Sequence, residues 1–155
     1  METKIIKISE DDVSEDKFRE AGQIIRDGGL VAFATETVYG LGADALNKEA
    51  SAKIYAAKGR PSDNPLIVHI ADVKALDELA KDVDEKTRML AEAFWPGPLT
   101  MIVNKSDIVP YSITGGLDTV AIRMPNHRVA LGLIKASKRY IAAPSAYTSG
   151  RPSTT

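Results

Sequence analysis

The sequence predicts a single α/β domain with a mixed, twisted sheet. Three observations carry this. Apolar runs short enough for strands recur between longer segments with helical periodicity. The order of strands and helices is irregular, so a purely parallel βαβ array does not fit. At 155 residues, with no internal repeat and no linker, the chain fits one domain with a sizeable core.

Lys4 to Ile8 alternates and suits an edge strand. Asp12 or Ser14 can cap a helix running to about Asp27, with Phe18, Ala21, Ile24 and Ile25 as its apolar stripe. Gly28-Gly29 ends it. Leu30 to Ala34 is a buried strand, and Gly40 and Gly42 read as turn formers. Asn47 caps a helix to about Ala57, which must stop by Arg60 because Pro61 disfavours helical backbone before it. Leu66 to Ile70 is a strand, with His69 out of phase with Leu66, Val68 and Ile70. Val73 to Lys81 is a short helix, and Asp84 caps another to Phe94, broken by Trp95-Pro96-Gly97-Pro98. Leu99 to Val103 is a strand and Pro110 to Leu117 a loop. Thr119 to Met124 alternates, with Val120, Ile122 and Met124 on one face and Thr119, Ala121 and Arg123 on the other. Asn126 caps a helix to Lys138, Tyr140 to Ala143 is the last strand, and Pro144 to Thr155 is polar loop.

Composition bounds the function classes. Hydrophobic content of 44% and charged content of 26% are ordinary for a globular protein. With a net charge of -1, overall charge points to neither nucleic acid nor membrane. The distribution is uneven: no Asp or Glu follows Arg123, whereas Arg128, Lys135, Lys138, Arg139 and Arg151 do. Such a basic third can face a nucleotide or polyanion, or be a solvated surface. No cysteine is present, which excludes disulfides and thiol chemistry. No apolar run approaches the roughly 20 residues that span a bilayer, and METKIIKISEDD has no signal-peptide core. A cytoplasmic protein without membrane contact is the expectation.

The candidate chemistry clusters between Leu30 and Ile70. Thr35, Glu36 and Thr37 put hydroxyls and a carboxylate at a strand end. Lys58-Gly59-Arg60-Pro61, if extended, projects two cations to one side, an anion clamp suited to phosphate. The same cations also suit a helix C-terminus. Gly40-Leu41-Gly42-Ala43-Asp44-Ala45 fits a loose dinucleotide fingerprint, but the preceding strand and following helix are in the wrong places for one. His69 suits either a satisfied core position or a pocket, and His127 a capping or surface position.

Five segments in order, TETVYGLG, KGRPSDNPLIVH, FWPGPLT, TVAIRMP and APSA..SGRPS, resemble the threonylcarbamoyl-AMP synthase family, the YrdC-like domain. The resemblance runs from about Gly28 to the end. It implies an open twisted sheet with a large concave cleft. It also implies formation of threonylcarbamoyl-AMP from L-threonine, bicarbonate and ATP with release of pyrophosphate, which feeds threonylcarbamoyladenosine in transfer RNA. By the same resemblance Lys58 and Arg60 contact ATP phosphates as the catalytic pair. Thr35, His69, Arg123 and Ser145 hold threonine, and Asn64, Thr119, Tyr147, Ser153 and Thr155 complete the nucleotide site. Magnesium would come with ATP, with no metal site on the protein, and a downstream threonylcarbamoyl transferase complex would take the product.

Two departures stand out. The family pattern after Ser145 is S-x-N, and Tyr147 stands where Asn is expected. Family domains continue past this loop, which implies a domain shortened at its C-terminal end. The rival expectations are an RNA-binding module, on transfer RNA or double-stranded RNA, and a nucleotide-binding regulatory relative without turnover.

Overall fold

A computed structural model describes residues 2–152. Six strands form one mixed sheet in the order β1-β2-β6-β3-β5-β4, namely β1 (Val31–Phe33), β2 (Gly40–Asp44), β3 (Ile67–His69), β4 (Met101–Asn104), β5 (Thr119–Arg123) and β6 (Ile141–Ala143). Only β3 and β5 pair in parallel. The other four pairings are antiparallel. The six helices are α1 (Glu15–Arg26), α2 (Lys48–Lys58), α3 (Ala75–Leu79), α4 (Glu85–Phe94), α5 (Tyr111–Thr114) and α6 (Arg128–Ser137).

The helices divide between the faces, and the division creates the site. On one face Ala43, Val68, Val120, Ile122 and Ala142 pack under α2 to α5, through Ile54, Leu76, Leu79, Ala91 and Ile113. On the other face α1 and α6 cover only the β1-β2-β6 side, where Phe18, Ile25, Leu133 and Ile134 meet Phe33, Ile141 and Ala143. These two helices approach closely at glycines. A Cβ on Gly132 would lie 2.4 Å from Phe18 Cζ, and one on Gly22 would lie 2.8 Å from the Ala136 backbone. The rest of that face, over β3, β5 and β4, stays open. There Ile67, Thr119 and Ala121 are half-buried and Ile102 is 72% exposed, whereas Val68 and Ile122 behind them are fully buried. This open half is the expected concave face.

Capping follows the sequence closely at two helices. The Asn47 side chain accepts from Ala50 N (3.0 Å), and Asp84 from Thr87 N (2.8 Å). Elsewhere the structure corrects the expectations. Lys4 to Ile8 does not join the sheet: Ile6 and Ile8 are half-buried, but the segment has no strand partner among the described residues. Gly40 and Gly42 are not turns but the start of β2. They are small because Phe33 and Ile141 lie across them. A Cβ on Gly42 would sit 2.6 Å from Ile141 Cγ2 and 2.8 Å from Phe33 Cε1. The Pro110–Leu117 loop contains the single turn α5, ended by Gly115 in the left-handed region (φ 62°). α6 is capped by His127 rather than Asn126: its imidazole Nδ1 accepts from Val129 N (3.2 Å).

Candidate functional site

β3 and β5 run in parallel, with His69 paired to Arg123 and Ile67 to Ala121. Side chains alternate along each strand, so His69 and Arg123 share the open face with Thr119. His69 sits at the edge of the covered half, edge-on to Phe33, with ring centroids 5.9 Å apart. Its Nδ1 lies 3.1 Å from the Ile67 carbonyl. Burial drives its pKa down to about 4 despite that bond. The imidazole is therefore neutral near pH 7.

Arg123 is buried, at 7% exposure. Three of its guanidinium N–H groups have partners. Nε donates to the Gly97 carbonyl (3.2 Å), one NH group donates to Thr37 Oγ1 (3.3 Å), and the other pairs with the Glu36 carboxylate. Burial pulls its pKa below the usual arginine range, and it remains charged. Thr35 is half-buried and donates from Oγ1 to the Val38 carbonyl (2.6 Å), with Thr37 Oγ1 3.1 Å away. The hydroxyls and carboxylate after β1 thus form one network with Arg123.

A second cluster lies at the other end of β3. The loop after β6 returns along β2: Leu41 N donates to Pro144 O, and Ala146 N to Tyr39 O. Lys58 then donates to the Ser145 carbonyl, and its Nζ lies 5.2 Å from the Tyr147 ring centroid. Arg60 donates from Nε to the Asn64 carbonyl (3.3 Å) and from its terminal nitrogen to the Pro65 carbonyl (2.8 Å). Lys58 and Arg60 are not one extended tripeptide. Lys58 closes α2 and is buried at 4% exposure, and Gly59 turns the chain through the left-handed region (φ 60°). The two cations still sense each other, since burial and then the Arg60 charge lower the Lys58 pKa.

Ser145 stands four residues along β6 from Ile141, the partner of His69, about 13 Å at strand rise. The Thr35–Tyr39 segment bridges the two clusters: Glu36 and Thr37 reach Arg123, and Tyr39 meets Ala146. Thr35, His69 and Arg123 are thus gathered at one end, and Lys58, Arg60, Asn64, Ser145 and Tyr147 at the other, the end from which Thr119 starts β5. Ser153 and Thr155 lie outside the described residues. Two cavities are lined by none of these residues. One of about 610 Å³ opens beside Asp44, Lys74, Glu78, Lys138 and Tyr140, and one of about 530 Å³ beside Tyr55, Asp63, Tyr111 and Ser112. Glu36 is the site residue whose partner sequence reasoning missed. Its acidic group beside two hydroxyls was the available signal.

The model of the Sua5/YciO/YrdC proteins, described as "Telomere recombination", matches residues 23–155. The chain belongs to this family. Threonylcarbamoyl-AMP synthase of Pyrococcus abyssi is 59% identical over 153 residues, covering 99% of this chain and 45% of that protein. The protein of the same name from Bacillus subtilis is 54% identical, covering 92% of this chain and 41% of its own length. The chain therefore spans less than half of these relatives. A Cellvibrio japonicus protein of that name is 33% identical, with 85% of this chain and 70% of its own length matched. The crystal structure of P. abyssi Sua5 complexed with L-threonine superposes with a TM-score of 0.91 at 60% identity, over 92% of this chain and 42% of that one. Escherichia coli YciO (TM-score 0.79, 23% identity, 89% and 67% covered) shares the fold. The family, and a single α/β domain with an open mixed sheet, match what the sequence implied.

Proposed function

We propose that this chain binds L-threonine and ATP on the open face and forms threonylcarbamoyl-AMP from them and bicarbonate, releasing pyrophosphate. The observation that carries this is the pair of clusters joined by the Thr35–Tyr39 segment. One holds a buried guanidinium suited to an amino-acid carboxylate. The other holds two cations that, among the described residues, are bonded to neutral carbonyls and to no carboxylate. The name of the P. abyssi relative and its complex with L-threonine support the same substrates.

The chemistry fits such a surface. The threonine amine and bicarbonate give a carbamate with loss of water, and a carbamate oxygen attacks the α-phosphorus as the bond to pyrophosphate breaks. This asks the protein for alignment and charge neutralisation rather than for a strong acid or base. Lys58 and Arg60 would stabilise charge building on the phosphates, with Asn64, Thr119 and the Ser145–Tyr147 loop around the nucleotide. Thr35, neutral His69 and Arg123 would orient threonine. Among the described residues no three His, Asp or Glu side chains gather to hold a metal ion. Magnesium would thus be carried on the triphosphate, where it would add to the neutralisation. The product would supply threonylcarbamoyladenosine formation in transfer RNA through a separate transferase.

The RNA-binding alternative draws less support, because two of the basic third's cations are already paired with carboxylates: Arg123 with Glu36 and Arg139 with Asp44 (3.2 Å). The deciding experiment is pyrophosphate release from ATP. It should require both L-threonine and bicarbonate, with serine poorer. Equal release without threonine would overturn the assignment.

A further inference from the structure

Glu36 ties together three pieces of chain that the sheet leaves apart. One carboxylate oxygen pairs with Arg123 at the end of β5, and the other accepts the Asn126 backbone N–H ahead of α6. Its own position follows β1, at the opposite edge of the sheet. Its side chain is 23% exposed and that of Arg123 is 8% exposed. Water screens the Arg123 side of the pair little, while Glu36 keeps contact with solvent, so the pair constrains geometry as well as charge. The guanidinium is held from three directions, by Gly97 O, Thr37 Oγ1 and Glu36. With five N–H groups on an arginine, two remain without a partner among the described residues. One sits on each terminal nitrogen, and charge-assisted N–H groups are what a carboxylate takes.

We propose that Glu36 is the positioning residue for amino-acid recognition, resting on the threonine-binding reading above. It fixes the Arg123 plane so that the unused donors meet the incoming carboxylate, and it pins the Thr35–Val38 segment across the open face. It touches Arg123 and the Asn126 backbone, not the reacting atoms. The double anchor argues against a placeholder that substrate must evict. A placeholder bound only to Arg123 would leave freely, whereas Glu36 is also fastened to Asn126 N.

Glu36→Gln keeps the shape and an acceptor but removes the charge. Calorimetric titration should show threonine affinity falling by about tenfold or more, with ATP affinity unchanged. In kinetics the loss should appear in KM for threonine rather than in kcat. Arg123→Lys should cost less in the Glu36→Gln background than in the wild type, because both act through one guanidinium. If the variant binds threonine more tightly, Glu36 is a competing occupant and the proposal is overturned. Equal losses of threonine and ATP affinity, or strict additivity with Arg123→Lys, would reduce it to a general structural role. Should Glu36→Gln give little folded protein, Glu36→Asp keeps the charge, shortens the reach and is judged by the same titration. The wild-type titration judges the underlying reading separately: with no threonine binding there, that reading falls and this one with it.

Discussion

The two ends of the open face hold their cations in opposite ways. At the β5 end, Arg123 is buried and its charge is met by Glu36. At the α2 end, Lys58 and Arg60 are bonded only to the carbonyls of Ser145, Asn64 and Pro65, and no carboxylate pairs with either among the described residues. A carbonyl satisfies a donor but does not neutralise it. The first end is therefore a preorganised hydrogen-bonding seat with its charge already balanced. The second is a reserve of positive charge, which a triphosphate can use. It follows that mutations at the first end should register in folding and in threonine affinity, and those at the second in nucleotide affinity.

The largest expected effect sits at the balanced end. Glu36→Ala strands a buried guanidinium, and removing one partner of such a pair should cost about 3 kcal/mol of stability. Urea denaturation measures this directly. A loss near zero would show that water reaches Arg123 and that the two ends do not differ as argued.

His69, at the same end as Arg123, gives an effect of similar size that depends on pH. Its folded pKa is about 4 against an ordinary 6.5, so between those values the unfolded chain holds a proton that the folded chain refuses. The stability contribution is complete above about 6.5 and falls as pH drops towards 4, by on the order of 3 kcal/mol in all. Unfolding free energies at pH 7 and pH 4.5 should diverge more for wild type than for His69→Gln. Equal pH dependence in both would mean that the imidazole charges readily where it sits.

The uncompensated end is probed by Lys58→Ala and Arg60→Ala. Each loses a charge-assisted contact to phosphate, so ATP affinity should fall by roughly 1.5–3 kcal/mol. Stability should fall by about 1 kcal/mol for Lys58→Ala, whose bond to Ser145 helps hold the loop after β6. Unchanged nucleotide affinity in both would leave the pair as a helix end and a loop brace.

How legible was this in the sequence? Periodicity and caps placed most elements, because Asn47, Asp84 and the apolar stripes act locally. What escaped depends on contacts distant in sequence. Gly42 belongs to a strand because Ile141, far along the chain, needs the space, and a glycine beside polar residues otherwise looks like a turn. Lys4 to Ile8 has the alternation of a strand but no partner among the described residues, which no local pattern reveals. The clamp was visible as residue types. Its geometry was not, because Gly59 rather than Pro61 turns the chain and leaves Lys58 inside the last helical turn. The Glu36–Arg123 pair spans 87 positions, and only the fold brings it together.

The smallest and most diagnostic effect concerns Tyr147, where the family pattern has Asn. The structure places its ring beside the Lys58 ammonium, 5.2 Å from Nζ to centroid. A cation over a ring at a half-exposed site gains on the order of 0.5–1 kcal/mol, so the ring competes only weakly with phosphate for Lys58. Asn would offer both a donor and an acceptor in its place and remove the bulk. Tyr147→Asn should therefore tighten ATP binding by a few-fold and raise turnover, with little change in unfolding free energy, since the side chain lies in a loop. Tyr147→Phe keeps the ring and loses the hydroxyl. If Asn weakens ATP binding while Phe preserves it, the ring is a stacking platform for adenine rather than an obstruction. The open end would then owe part of its nucleotide affinity to an aromatic face, and the contrast with the Arg123 end would no longer be one of charge alone.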